Sequence, residues 1–264
     1  MQEYLQLAEH AARQAGAHIN QSAARVGELT VEQKGLHDYV SEVDREAERR
    51  IAQLVAEHFS DHVILGEEFG AGKALGQDIT WVVDPLDGTT NFLRGIAHYA
   101  VSIAVLQDKQ PICGVVYDPC KDEMFSALKG QGASLNGQPI SVSNSTGIEG
   151  ALLATGVPYG GPTLQTLDPF VETVRSLMAQ RTSGIRRLGA AALDLAYVAA
   201  GRYEGFWEAN LSIWDIAAGA LIVQEAGGQV TDLAGENGYL SSGNILAATP
   251  AVHKDILQTT VTLY

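Results

Sequence analysis

Four acidic residues stand where apolar runs stop. Asp84 and Asp87 lie in Asp84-Pro85-Leu86-Asp87-Gly88, directly after Trp81-Val82-Val83. Glu67 follows Val63-Ile64-Leu65-Gly66, and Asp215 follows an aromatic in Ser212-Ile213-Trp214-Asp215. Pro85 and Gly88 demand a turn, one through its fixed φ and the other through its freedom at φ > 0. The buried strand before them is therefore expected to end at the two aspartates. Thr89 or Thr90 then starts a helical turn, whose free backbone N–H groups suit an anion. Carboxylates beside anion-binding amides are compatible only with a cation between them. That is the chemistry of a metal-assisted phosphate site. Mg²⁺ wants octahedral oxygen ligands, and two such ions about 3.5–4 Å apart clamp a phosphate oxygen while activating water.

Each acid also has an ordinary reading when taken singly. Asp87-Gly88 reads as a turn, Asp215 as a helix N-cap and Glu67 as a solvated loop residue. Asp44, in Ser41-Glu42-Val43-Asp44, reads as part of a capping box. Spacing along the chain does not show that the acids converge. No His/Cys cluster offers a zinc alternative. No Walker A or G-x-G-x-x-G loop is present, and no Gly-x-Ser-x-Gly.

The elements that must carry these residues follow from periodicity. Tyr4, Ala8, Ala11, Ala15 and Ile19 recur at helical spacing in residues 1–25. Residues 26–40 are turn-rich, with an alternation at Leu29, Val31 and Gln33 that suits paired strands. A second helix opens at residues 41–44, with Val43, Ala47, Ile51, Leu54 and Val55 on one face. The glycine-rich stretch 70–78 reads as a mobile connection. Residues 98–106, 112–117, 124–127 and 133–135 read as an antiparallel meander, with Asn136-Gly137 as a hairpin turn. The small, polar residues 141–150 form a junction. Beyond it, strands at 152–154, 203–208 and 245–248, and around Val230 and Leu233, alternate with helices. Asp168-Pro169 is expected to start one helix as N-cap and N1, with Phe170, Val174, Leu177 and Met178 inward. Arg186-Arg187-Leu188-Gly189 precedes an alanine-rich helix ended by Gly201. Another helix begins at residues 212–215 and stops at Gly227-Gly228, and a last one covers 252–260. Mixed α/β layers follow, of the α+β type.

Composition bounds the function. A chain of 264 residues that is 46% hydrophobic can bury a large core. A net charge of −14 disfavours a broad nucleic-acid surface and repels a phosphorylated substrate unless cations are bound. Cys113 and Cys120 form no ligand pattern and read as reduced thiols. No signal peptide and no bilayer-spanning run is visible, so a cytoplasmic protein without membrane attachment is expected.

Three motifs together carry a resemblance. Asp84-Pro85-Leu86-Asp87-Gly88-Thr89-Thr90-Asn91-Phe92 resembles the first signature of the inositol monophosphatase family. Trp214-Asp215-Ile216-Ala217-Ala218-Gly219, followed by Glu225-Ala226-Gly227-Gly228, resembles the second. Gly66-Glu67-Glu68 resembles the intervening metal-ligand motif, and Gly189-Ala190-Ala191-Ala192-Leu193-Asp194 extends the similarity. The resemblance implies a single phosphatase domain over 1–264, in two packed halves of about 1–140 and 141–264. Its fold would be the layered αβαβα sandwich of the inositol monophosphatase/fructose-1,6-bisphosphatase type.

The resemblance also implies roles. Glu67, Asp84 and the Leu86 carbonyl would hold one Mg²⁺, and Asp84, Asp87 and Asp215 a second. A third, weaker ion would share Glu67. Gly88 and Thr89 amides would cradle phosphate. Thr89, bonded to Asp44, and Glu67 would orient and deprotonate a metal-bound water for in-line attack. Asp87, Ala191 and Glu208 would contact substrate. The implied enzyme is a lithium-sensitive homodimer that hydrolyses myo-inositol monophosphate. Relatives act on histidinol phosphate, fructose 1,6-bisphosphate or a 3′-phosphoadenosine nucleotide, and residues 70–78 are a place for such specificity. Some bacterial relatives associate with the transcription machinery, for which Arg186-Arg187 offers a contact. The same pair also reads as a solvated or dimer-interface feature. Arg94-Gly95-Ile96-Ala97 departs from the family's usual basic/aromatic-Pro run, and Leu86 stands where Ile is commoner.

Overall fold

Helical spacing at Ala8, Ala11, Ala15 and Ile19 becomes one buried stripe of α1 (Gln2–Ala23). A computed structural model describes residues 1–26, 31–35, 38–70, 78–158 and 161–264. After α1, β1 (Val31–Gly35) and β2 (Asp38–Ser41) pair antiparallel. The chain then enters α2 (Glu42–His58), which buries Val43, Ala47, Ile51 and Val55. The expected glycine-rich connection at 70–78 falls largely on residues 71–77, outside the described residues.

A seven-stranded sheet follows, in the order β3-β4-β5-β6-β7-β8-β9. Its members are β3 (Val63–Gly66), β4 (Thr80–Asp87), β5 (Ala100–Gln107), β6 (Gln110–Asp118), β7 (Glu123–Leu128), β8 (Ala133–Leu135) and β9 (Gln138–Ile140). The short helix α3 (Thr89–Leu93) lies between β4 and β5. Only β3 and β4 pair parallel; the rest is an antiparallel meander. β5 starts at Ala100 rather than at residue 98. Asn136 and Gly137 both have positive φ, as a two-residue hairpin turn requires.

The second half forms a five-stranded sheet and its helices. In chain order these are β10 (Leu152–Thr155), α4 (Leu167–Ala179), β11 (Gly184–Arg186), α5 (Ala191–Ala199) and β12 (Gly205–Glu208). They continue with α6 (Ile213–Glu225), β13 (Gln229–Thr231), α7 (Tyr239–Ser242), β14 (Ile245–Ala248) and α8 (Pro250–Thr260). The sheet order is β11-β10-β12-β14-β13. Leu233 lies outside the strands. α4 starts one residue before the expected N-cap: Thr166 is the N-cap, so Asp168 and Pro169 sit inside the first turn. Pro is tolerated there because first-turn amides lack intrahelical partners. Leu177 of α4 is buried, but Met178 is 51% exposed, so the inward face runs through Thr173 and Leu177.

Strand alternation sorts the core into layers. Trp81 and Val83 of β4, with Val101, Ile103 and Val105 of β5, pack against α1 and α2. Val82, Ala100, Ala104 and Leu106 point the other way, onto α5 and α6. The far side of α5 and α6 meets Ala154, Phe206, Ile245 and Ala247 of the second sheet. The outer face of that sheet, through Leu153, Trp207, Leu246 and Ala248, packs against α4 and α8. The order is therefore helix, sheet, helix, sheet, helix. Helices covered on both sides must be apolar all round, and every residue of α5 is buried. Small residues permit the close approach: a Cβ on Gly219 would meet Leu195 Cβ at 2.6 Å, and one on Gly114 would meet the Ala218 carbonyl at 2.7 Å. No helix of the described residues is long and apolar enough to cross a membrane. Both cysteines are free thiols, and burial pushes Cys113 up to about 12.

Candidate active site

Asp84 and Asp87 are carried by one strand, which ends at Asp87 as expected but runs through Pro85 instead of turning there. β4 continues through Pro85 and Leu86 to Asp87, with a bulge between the pairings Asp84↔Ser102 and Asp87↔Ala100. Pro85 lacks a ladder donor, and bulges are among the few sheet positions that tolerate it. The bulge is braced from within: the Leu86 N–H donates to Asp84 Oδ1 at 2.9 Å. Gly88, at φ 91, turns the chain into α3, and a Cβ there would press on the His98 carbonyl at 3.1 Å.

A cleft of about 290 Å³ opens at this corner, lined by Glu67, Asp84, Leu86, Asp87, Gly88, Thr89, Asn91, Gly156, Arg187, Ala191, Glu208 and Asp215. Residues from both halves of the chain thus share one cavity. Glu67 extends the β3–β4 ladder by one residue, its N–H donating to the Val83 carbonyl at 3.1 Å. Asp215 is the third residue of α6, and Ser212 is the N-cap. The Ser212 N–H donates to Asp215 Oδ2 at 2.7 Å. The lone N-cap reading of Asp215 is therefore corrected to the reciprocal half of a capping box. Asp87 Oδ2 accepts the Ala192 N–H at 2.7 Å. A strand residue thereby caps α5, which has no side-chain cap of its own. Ala191 lies beside it on the cleft wall.

Thr89 Oγ1 lies 3.0 Å from Asp44 Oδ1 and 3.0 Å from the Leu86 carbonyl, with the hydroxyl as donor. Asp44 is 1% exposed, on the first turn of α2. Its carboxylate therefore reaches another element, beyond any role at its own helix start. Glu208 ends β12, and a Cβ on Gly156 would overlap its carboxylate, so glycine is needed opposite it. Two residues named in the sequence motifs have no role at this site from sequence alone. Asn91 donates from Nδ2 to the carbonyls of His98 and Leu188, each at 2.8 Å, pinning the loop before α5. Arg187 is the cation on the cleft wall among the described lining residues. Of the expected contact pair, Arg186 lies in β11, and both arginines are exposed.

The electrostatics are those of crowded acids. Burial, then Glu67, Asp87 and Asp215, raises Asp84 well above the usual carboxylate range. Burial raises Asp87 to about 7, opposed by the Ala192 amide and reinforced by Glu208. Burial, then Asp87, raises Asp215 to about 7. Burial, then Asp215, raises Glu208 to about 8, with Arg187 opposing. Like charges out of water disfavour ionisation. Asp215 is among the charges that raise Asp84, so carboxylates this crowded are stabilised by protons or by a cation among them. The donors are all oxygen, which suits a hard ion such as Mg²⁺ rather than zinc. Among the described residues, no three His, Cys, Asp or Glu side chains already stand as a group that could hold an ion.

Comparison with known proteins gives a consistent picture. The model of the inositol monophosphatase family matches residues 1–263. The Nus factor SuhB of Pseudomonas aeruginosa is 49% identical over 261 residues, 98% of this chain and 96% of its own. The extragenic suppressor protein suhB of Bartonella henselae superposes with a TM-score of 0.92 at 41% identity, covering 98% of both chains. An inositol monophosphatase from Anabaena (Nostoc) sp. PCC 7120 superposes with a TM-score of 0.83 at 33% identity, covering 100% of this chain and 97% of that one.

Proposed function

This chain belongs to the inositol monophosphatase family, and from that membership we propose that it is a Mg²⁺-dependent phosphomonoesterase acting on myo-inositol monophosphate. The observation that carries the reading is the cleft that joins Glu67, Asp84, Asp87 and Asp215 to the start of α3 at Gly88 and Thr89. Glu67, Asp84, the Leu86 carbonyl, Asp87 and Asp215 would hold two or three Mg²⁺. When bound, such ions lower the pKa of water and neutralise charge at the phosphoryl group.

The chain's own groups supply the rest. The Thr89 hydroxyl gives its hydrogen to Asp44 or Leu86, so its lone pairs are left to accept from a water. Asp44 fixes that polarity from α2. Glu67, which lines the same cleft as Thr89, would take the water proton. Gly88 and Thr89 amides receive phosphate oxygens, and the αL turn at Gly88 allows a ligand to approach the backbone closely. Glu208 and Ala191 face the remainder of the substrate. Before metal binds, burial and the Asp215 charge hold Glu208 at about 8, and this acid is placed to hydrogen-bond a substrate hydroxyl. This favours a polyol over a nucleotide.

The test is kcat/KM for inositol monophosphate, histidinol phosphate, fructose 1,6-bisphosphate and a 3′-phosphoadenosine nucleotide, with Mg²⁺ and with chelator. Failure on inositol phosphate with turnover of another ester reassigns the substrate. Inhibition by Li⁺, a homodimer, a cytoplasmic location and one working domain built from both halves belong to the same proposal. A second reading is supported by the name of a near relative, Nus factor SuhB: an added role with the transcription machinery. Asp87→Asn separates the two, since such a role would persist when catalysis is lost.

A further inference from the structure

α2 buries two acids one turn apart, and only Asp44 enters the chemistry above. The other, Glu48, is 2% exposed and points at the loop that carries Glu67. Its Oε2 accepts the Glu68 N–H at 2.7 Å, and its Oε1 accepts the Phe69 N–H at 3.0 Å. The loop is a tight turn, closed by the Gly70 N–H donating to the Gly66 carbonyl at 3.0 Å. Gly66 has no Cβ because one would overlap Glu48 Oε1. The Glu67 amide is already fixed to the Val83 carbonyl on the other side. The backbone on both sides of Glu67 is thus tied, once to β4 and twice to Glu48.

We propose that Glu48 is a positioning residue for the reaction: by clasping the Glu68 and Phe69 amides it aims Glu67 into the cleft and so sets the cleft's cation affinity. α2 then aligns two cleft residues, Thr89 through Asp44 and Glu67 through Glu48. Charge-assisted bonds to two successive amides resist rotation of the turn. A carboxamide satisfies one amide and opposes its NH₂ to the other. The inference rests on the phosphatase reading above.

The test is Mn²⁺ binding by wild type and Glu48→Gln, read by paramagnetic resonance and calorimetry, beside steady-state kinetics. Groups that orient a metal site are worth about 10–100-fold in affinity. We expect the Mn²⁺ Kd and the Mg²⁺ half-activation concentration to rise about ten-fold or more. KM for the ester at saturating Mg²⁺ should stay within a factor of about three, which a general loss of structure would not give. Gly66→Ala should weaken Mn²⁺ binding similarly while keeping the carboxylate, and it decides the matter if Glu48→Gln does not fold. In a Glu48→Ala background, Gly66→Ala should add little further loss, because the atom it meets is gone. A folded Glu48→Gln or Gly66→Ala protein that binds Mn²⁺ within two-fold of wild type overturns the proposal. A wild-type protein with no Mg²⁺-dependent hydrolysis overturns the phosphatase reading instead.

Discussion

Asp84 and Asp87 are three residues apart on one strand, yet both line the same cleft. In a regular strand, residues an odd number apart face opposite sides. The bulge between them inserts one unpaired residue against β5 and restores the common face. Pro85 and the Asp84-bonded amide of Leu86 stabilise that irregularity. The Asp-Pro-Leu-Asp spacing is thus a device for pairing two carboxylates at the C-terminal end of a buried inner strand.

Asp87→Asn should lower kcat/KM by at least about 100-fold, since the neutral amide is a poor ligand for a hard cation. Its amide oxygen still accepts the Ala192 N–H, so α5 keeps its cap. The metal-free variant should melt no lower than wild type at pH 8, where the Asp87 carboxylate is repelled. Intact activity in this variant would mean the site is wrongly assigned.

Mg²⁺ should stabilise the protein, and more at pH 8 than at pH 6. Asp87 and Asp215 titrate near 7 when folded and near 3.8 when unfolded. Between those values the folded state binds more protons, so their contribution to stability falls as pH rises. A cation replaces those protons, and its gain grows as they leave. At a hundred times its Kd a ligand adds about 2.7 kcal/mol. Melting curves with and without chelator at both pH values check this. An equal Mg²⁺ shift at the two pH values would contradict it.

Thr89→Val should reduce kcat by about 10²–10⁴-fold with little change in KM, because it removes a proton-handling group and not a binding surface. Thr89→Ser should recover most of the loss, since its hydroxyl can still donate to Asp44. A Ser variant as inactive as Val would point to packing of the Thr methyl instead.

Acid should destabilise the fold through its buried histidines. Burial holds His253 at about 4, from 6.5 in the unfolded chain, and its Nε2 lies 2.9 Å from Thr231 Oγ1. Below pH 6.5 the unfolded state takes up the proton first, so stability is lost as pH falls from about 6.5 toward 4. The loss is about 3 kcal/mol for this residue. His253→Gln should flatten the denaturant midpoint between pH 7 and 4.5. His98, also held near 4 by burial, keeps part of the slope. A His253→Gln profile as steep as wild type would exclude this source.

Local pattern was enough for the elements and for the choice of acids. The apolar stripe of α1, the hairpin at Asn136-Gly137 and the N-terminal signal at Ser212 each depend on neighbours within a few residues, where φ, ψ and periodicity act. Glu67, Asp84, Asp87 and Asp215 were legible as unusual for the same reason: each follows an apolar or aromatic residue. Their convergence was not legible. It depends on β3 pairing parallel with β4, on the bulge against Ser102 and Ala100, and on α5 and α6 being held between two sheets. Asp87 finds Ala192 across 105 residues, and Glu48 finds Glu68 across 20. No local preference encodes such pairs, because strand register and layer packing choose them. The sequence alone determined which groups are available and which segments carry them. Which carboxylate faces which follows from the packing of the layers, since packing removes water from between the acids and makes their charges interact.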